Sequence, residues 1–200
     1  MMLKLPCSSL PLPNSIGALK RYIALTGLFL ACVPCVLCQS VKYIVDAERS
    51  GISFKISHMG FLTVHGEFHR FSGAIVYRDS ALVDIRSRIV VASLDTQDQA
   101  RDKSLVDEAY LDASTYPYIR FHALDVTKDN PPVLTGMLQI KGVSKEVSMP
   151  MRIDLSGDEL SLVLSTQISR AAFGLDFGAM DMLVGNVIDV EVNLIAIQDP

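Results

Sequence analysis

This 200-residue chain has no tryptophan, and its four cysteines, Cys7, Cys32, Cys35 and Cys38, all fall within the first 38 residues. Beyond Cys38 there is no disulfide to staple the fold and no thiol nucleophile. Some 160 residues remain there, roughly enough to bury a core without staples. Charge is scarce too, at 20% of residues, with 18 bases against 22 acids. Three of the bases, Lys4, Lys20 and Arg21, lie in the first 38 residues, so the rest carries 15 bases against 22 acids, net −7. That balance excludes a chain built to wrap nucleic acid or to coat anionic surfaces. A half-hydrophobic composition with only twelve glycines and nine prolines excludes collagen-like and disordered chains. No phosphate loop, dinucleotide glycine fingerprint or nucleophile elbow is present.

Two arrangements resemble metal motifs and fail on inspection. Cys32-x2-Cys35-x2-Cys38 lies in an uncharged apolar run with no fourth ligand near it. His65-Gly66-Glu67-Phe68-His69 has its glutamate in the wrong place for a metalloprotease helix. It also reads as a strand, on which residues four apart lie roughly 13 Å from each other. No metal is expected at either.

What the chain does contain begins with a leader. Basic residues precede the run Tyr22–Cys38, which holds no charge, and Gln39-Ser40 follow. That is the order of a secretory signal. The run is short for a membrane span and holds Pro34. Residues 1–38 are therefore read as a signal peptide or an uncleaved N-terminal anchor, and 41–200 as one domain. The leader places that domain in the periplasm or outside the cell, or on the membrane by its N-terminal segment.

In the domain, apolar residues recur with period two between turn residues. Strands are expected at 41–46, 52–58, 64–71, 73–77, 82–94, 119–126, 134–141, 146–155, 159–169 and 187–197. The last alternates most plainly, with Ile188, Val190, Val192 and Leu194 against Asp189, Glu191 and Asn193. One polar, helix-friendly segment, 96–109, interrupts the pattern; Asp95 or Thr96 can cap it. Pro117 closes this insertion. Antiparallel strands with one oily side must form a sandwich or a closed barrel, and periodicity alone does not choose.

Single residues are less informative. His58 lies on the apolar face of its strand, either as a hydrogen-bonded core histidine or as a polar group facing a ligand. Arg101-Asp102 is an ion pair in the insertion or an arginine guarding a cavity mouth. Arg170 ends a strand and reads as a latch for the following loop through its fork of donors, or as a ligand contact.

An ordered set of motifs resembles the YceI-like, polyisoprenoid-binding family. It comprises Tyr43-x2-Asp46, Phe54-x3-His58-x-Gly60, Val64-x-Gly66-x-Phe68, Phe71-x-Gly73 and Ser93-Leu94-Asp95-Thr96. Arg101-Asp102-x2-Leu105, Tyr116-Pro117-x-Ile119-x-Phe121 and Gly136-x-Leu138-x-Ile140-x-Gly142-Val143-Ser144-Lys145 follow. Arg170-x2-Phe173-Gly174 and Val184-Gly185-x2-Ile188 complete it. His122 and a shortened loop at 181–184 depart from the pattern. The resemblance implies an all-β fold, an extended antiparallel barrel of about eight strands, lipocalin-like, with one short helical insertion and a lipid in its lumen. It implies no metal, no cofactor beyond a polyprenyl or quinone-type lipid, no established catalytic residue, and a link to envelope stress.

The inward alternation then names the lumen: Phe54, Ile56, Phe68, Ile75, Ile85, Ile89, Phe121, Leu138, Ile140, Met149, Met151, Ile153, Leu162, Leu164, Val190 and Val192. A polar head group is expected at the mouth, near His58, Arg101 and Lys103. The expected partner is a hydrophobic small molecule, with a membrane electron carrier as a second partner if the cargo is a quinone. Nucleic acid is not expected, and the protein is a monomer or homodimer. The rival readings are an enzyme acting on such a lipid through His58, and a structural envelope module with a solid barrel.

Overall fold

A computed structural model describes residues 40–78, 81–178 and 181–200. The expected leader and its cysteines lie outside the described residues. Eleven strands form one antiparallel sheet. They are β1 (Ser40–Val45), β2 (Gly51–His58), β3 (Leu62–Phe68), β4 (Phe71–Arg78), β5 (Ala81–Val90) and β6 (Leu94–Asp95). After the helix α1 (Gln99–Val106) come β7 (Tyr118–Val126), β8 (Val133–Ile140), β9 (Val143–Ser156), β10 (Glu159–Ser169) and β11 (Val184–Gln198).

Pairing reduces the eleven to eight. β2 lies against β3 while β1 lies against β4, so β1–β2 and β3–β4 are two bent strands side by side. β4 pairs with β5 and β3 with β6, so β5–β6 is a third, bent through a 3-10 turn at Val91–Ser93. β11 closes the cylinder, pairing with β10 on one side and with both β1 and β2 on the other. The result is a closed eight-stranded antiparallel barrel with one α-helix among the described residues, as the motif set implied.

The bends are fixed by short polar side chains. Ser50 donates to the Asp46 carbonyl at 2.6 Å and accepts the Ile195 amide at 2.9 Å, pinning the first. Ser93, itself buried, donates to the Val90 carbonyl and accepts the Arg70 amide, which ties the second bend to the third. Such local bonds offer the backbone an alternative to the sheet ladder. Hairpin β8–β9 turns on Lys141 and Gly142, both with positive φ, the geometry that matches strand twist.

Two corrections concern the insertion. The helix spans Gln99–Val106 rather than 96–109, and its N-cap is Asp98, whose carboxylate accepts the Ala100 and Arg101 amides. Asp95 instead extends a strand, and Thr96 is held by Asp102 and Arg101. The helix has no buried residue, so it rests on caps and flanking turns rather than on an apolar stripe.

Inward side chains form two clusters. One fills the end formed by β1, β4, β5 and the β9–β10 hairpin, where Ile75, Leu134, Leu160, Leu162 and Ala196 have no exposed surface. The other, around Val91, Ile119, Ile140, Ile168, Phe173 and Leu175, lies at the opposite end, on the far side of the bends. There the wall opens: the β9–β10 ladder stops at Met151–Leu164, leaving Val143–Pro150 without β10 ladder partners. The Thr166 hydroxyl bonds the Ser148 carbonyl across this gap, and the 3-10 turn Ala171–Phe173 buries Phe173 beside it.

Candidate functional site

The open end encloses an apolar cavity of about 380 Å³. Its wall comes from β2, β3, β5, β6, β7, β8, β10 and β11, and its cover from α1, Tyr110-Leu111 and the segment Leu175–Phe177. The cover exists because β6 is only two residues long and β3 pairs with it only at Glu67 and Phe68, leaving the rest of that edge for the insertion to close. Polar lining is sparse: Ser53, His58, Thr96, Arg101, Ser104 and Tyr110.

Of the sixteen residues expected in the lumen, Phe54, Ile56, Phe68, Ile89, Leu138, Ile140 and Val190 line this cavity. The other nine do not. Ile75, Ile85, Phe121, Met149, Met151, Ile153, Leu162, Leu164 and Val192 pack on one another in the filled end. Period two reports which way a residue faces, not the height along the barrel at which a cavity lies. Ile119, Ile168 and Ile188 also line the cavity and continue the same alternation, so the pattern did hold that signal. Tyr110, Leu111, Leu175 and Phe177 come from irregular segments where no period points inward.

The expected head-group residues separate as well. His58, at the end of β2, lines the cavity, and its imidazole makes no hydrogen bond among the described residues. Arg101 lines it too, but its guanidinium is committed: Nε donates to the Thr96 hydroxyl and Nη2 to the Thr96 carbonyl, both at 2.7 Å. Thr96 in turn donates its amide and hydroxyl to Asp102. Lys103 is exposed and does not line the cavity.

Arg170 carries the rim. It is 4% exposed, and all five of its N–H donors are used: Nε to the Gly185 carbonyl, Nη1 to the Leu175 carbonyl and the Asp181 carboxylate, Nη2 to the Asp181 and Val184 carbonyls. Its guanidinium also lies 5.0 Å from the centre of the Phe177 ring. This is the loop latch that the sequence indicated, and it positions three cavity residues, Leu175, Phe177 and Val184. Hydrogen bonding from Arg170, then from the Phe177 amide, holds the Asp181 carboxyl below its ordinary range.

One cluster of three metal-capable side chains occurs among the described residues: Glu67, His69 and Asp95, with ligand atoms within 4.8 Å of one another. His69 Nε2 lies 3.0 Å from Asp95 and 3.7 Å from Glu67, on the outer face and away from the cavity. The Asp95 hydrogen bond raises the His69 pKa, which favours the protonated imidazole beside two carboxylates that face each other across β3 and β6. His65 is exposed and is not part of this cluster.

Comparison with known proteins gives a consistent answer. A family model described as YceI-like domain matches residues 43–196. A UPF0312 protein of Vibrio parahaemolyticus is 27% identical over 188 residues, covering 88% of this chain and 97% of the relative. Protein YceI of Escherichia coli is 30% identical over 125 residues, covering 60% and 65%. Among solved structures, Burkholderia cenocepacia BcnA superposes with a TM-score of 0.70 at 24% identity, covering 76% of this chain and 98% of that one. A polyisoprenoid binding domain from Saccharophagus degradans, implicated in plant cell wall breakdown, gives 0.65 at 17% identity, covering 78% and 98%.

Proposed function

The chain belongs to the YceI-like family, and on that premise we propose that its cavity binds the end of a long apolar chain, of polyisoprenoid or similar lipid type. The observation that carries this reading is the cavity itself. At about 380 Å³ it falls within the range of small-molecule sites, roughly 300–1,000 Å³. Its wall is almost wholly hydrocarbon, and each methylene moved into such a wall gains about 0.8 kcal/mol. Enclosure of a few isoprene units therefore suffices without a polar anchor. The closed bottom fixes the direction of entry: the tail lies toward Phe54 and Phe68, whose rings stand 5.8 Å apart, and any polar head stays at the mouth beside His58. That a solved structure of similar fold is described as binding polyisoprenoid supports the ligand class.

The protein acts as a carrier rather than a catalyst. We place the domain in the periplasm or outside the cell, on the strength of the leader pattern. There it shields or ferries its lipid through water; with a quinone as cargo, a membrane electron carrier is the receiving partner.

The test is native mass spectrometry of residues 39–200 after incubation with a short prenyl alcohol. One bound molecule per chain is expected, lost in Ile188→Trp, which fills the cavity from β11. A protein that binds none, or an Ile188→Trp variant that binds as well as the original, contradicts the reading.

A further inference from the structure

The loops that rim the cavity mouth carry apolar side chains pointing into solvent. Phe61, in the turn between β2 and β3, is 80% exposed, and Met182, just before β11, is 97% exposed. Met59, Leu62 and Leu183 are also exposed. The two loops are joined, because the Met59 amide donates to the Leu183 carbonyl at 2.6 Å. Each continues a cavity wall: Met59 follows His58, and Leu183 precedes Val184, both of which line the cavity. The second loop is held down by Arg170 through the Asp181 and Val184 carbonyls. The exposed apolar residues of both loops thus sit next in the chain to residues that line the cavity.

We propose that this rim inserts into a lipid bilayer and so joins the cavity mouth to the membrane from which the ligand is taken. The proposal rests on the lipid-binding reading of the cavity and adds the partner surface. Three observations favour a bilayer over other occupants. A specific protein interface takes roughly 20–30 residues a side, far more than five side chains on two loops provide. A rim of long, unbranched and aromatic side chains around a mouth suits the boundary between head groups and acyl chains, where apolar side chains sink a few ångströms. No lysine or arginine lies within residues 59–62 or 181–183, so insertion depends on apolar burial and not on anionic head groups.

The barrel is complete within residues 40–198, and a solved relative consists almost entirely of the matching domain, so residues 39–200 suit the experiment and exclude the apolar leader from it. Sedimentation with neutral phosphatidylcholine vesicles is measured for this domain and for Phe61→Ser and Met182→Ser, singly and together. Binding of a soluble short prenyl probe is measured in parallel. The expected result is vesicle binding that weakens about tenfold per substitution, with prenyl binding unchanged. Vesicle binding equal in all four proteins overturns the proposal. So does a dependence on phosphatidylglycerol, or a concentration-dependent dimer that Phe61→Ser dissolves while vesicles are not bound. Loss of prenyl binding in the unsubstituted domain counts against the cavity reading alone, since vesicle binding is scored separately.

Discussion

The two ends of this barrel share the same strands and the same residue types, yet one is filled and the other hollow. β8 shows the contrast within eight residues: Leu134 has no exposed surface in the filled end, while Leu138 faces the cavity. Across from them, Phe121 packs in the filled cluster and Ile119 lines the cavity. What differs is the wall and not the side chains. Three strands bend at Asp46–Ser50, His69–Arg70 and Val91–Ser93, and the β9–β10 ladder ends at Met151–Leu164. Beyond that level lies the cavity. A barrel of eight strands is just wide enough to be filled by side chains, so a small change in splay decides between core and cavity.

Breaking the latch that holds the hollow end together has the largest expected effect. Arg170→Met keeps apolar bulk and removes all five donors, leaving four carbonyls and the Asp181 carboxylate without their partner. A loss of about 3–5 kcal/mol is expected in urea denaturation, because a buried network broken on one side exposes the desolvation cost of the other. A loss below roughly 1 kcal/mol, within the range of ordinary surface changes, contradicts the latch.

The same truncation at the two ends sharpens the contrast. Leu162→Ala opens a new void in the filled end and is expected to cost about 2–5 kcal/mol. Leu138→Ala enlarges a space that already exists, so only its transfer term is lost, about 1–2 kcal/mol. Paired thermal melts compare them directly, and equal costs contradict the division.

Two glycines make a stricter pair. A Cβ on Gly136 would stand 2.3 Å from Phe121 Cζ and 2.7 Å from the His122 carbonyl; one on Gly66 would stand 2.3 Å from Phe54 Cζ. The overlap with the ring is the same and the surroundings are not. Phe121 is packed on its neighbours, so Gly136→Ala forces backbone and ring apart and costs about 1–3 kcal/mol. Phe54 borders the cavity, so in Gly66→Ala its ring swings into free space. A loss below about 1 kcal/mol is expected there, together with weaker prenyl binding.

The smallest effects are electrostatic. Asp181 has a lowered pKa, so its share of stability is whole above the ordinary carboxylate value of 3.8 and is lost as pH falls through its own lower value. Amide exchange in residues 175–178 and 181–185 is expected to quicken below that pH before exchange in β8 does; simultaneous loss contradicts a separately latched rim. His69 has a raised pKa, so its contribution is whole below 6.5 and fades as pH climbs through the raised value. His69→Gln is expected to remove that slope from the melting temperature and change little else.

Much of this was legible in the sequence, for definite reasons. Alternation in residues 187–197 gave β11 its face, and the ordered motifs gave the barrel its closure. Arg170, a single arginine after a strand and before Phe173-Gly174, announced its latch. The height at which the lumen opens was not legible, because it depends on bends fixed by Ser50 and Ser93, whose hydroxyls leave no mark on a hydrophobic pattern. The cover of the cavity was missed for a related cause: Tyr110, Leu111 and Phe177 sit in turns, where spacing carries no direction. The Asp98 cap was missed because Asp95 and Thr96 were equally good cap residues by type, and only the two-residue strand β6 settles which one is free.

The account stands on one end of the barrel being open to a ligand and the other closed to it. A crystal structure of residues 39–200 with a bromine-labelled short prenyl alcohol tests this most directly. Bromine density is expected among Phe54, Phe68, Leu138 and Val190, with Met149, Met151 and Leu162 in their present packing. Density threading the filled end past Ile75 and Leu134, or found only on the outer surface with the cavity unoccupied, contradicts it.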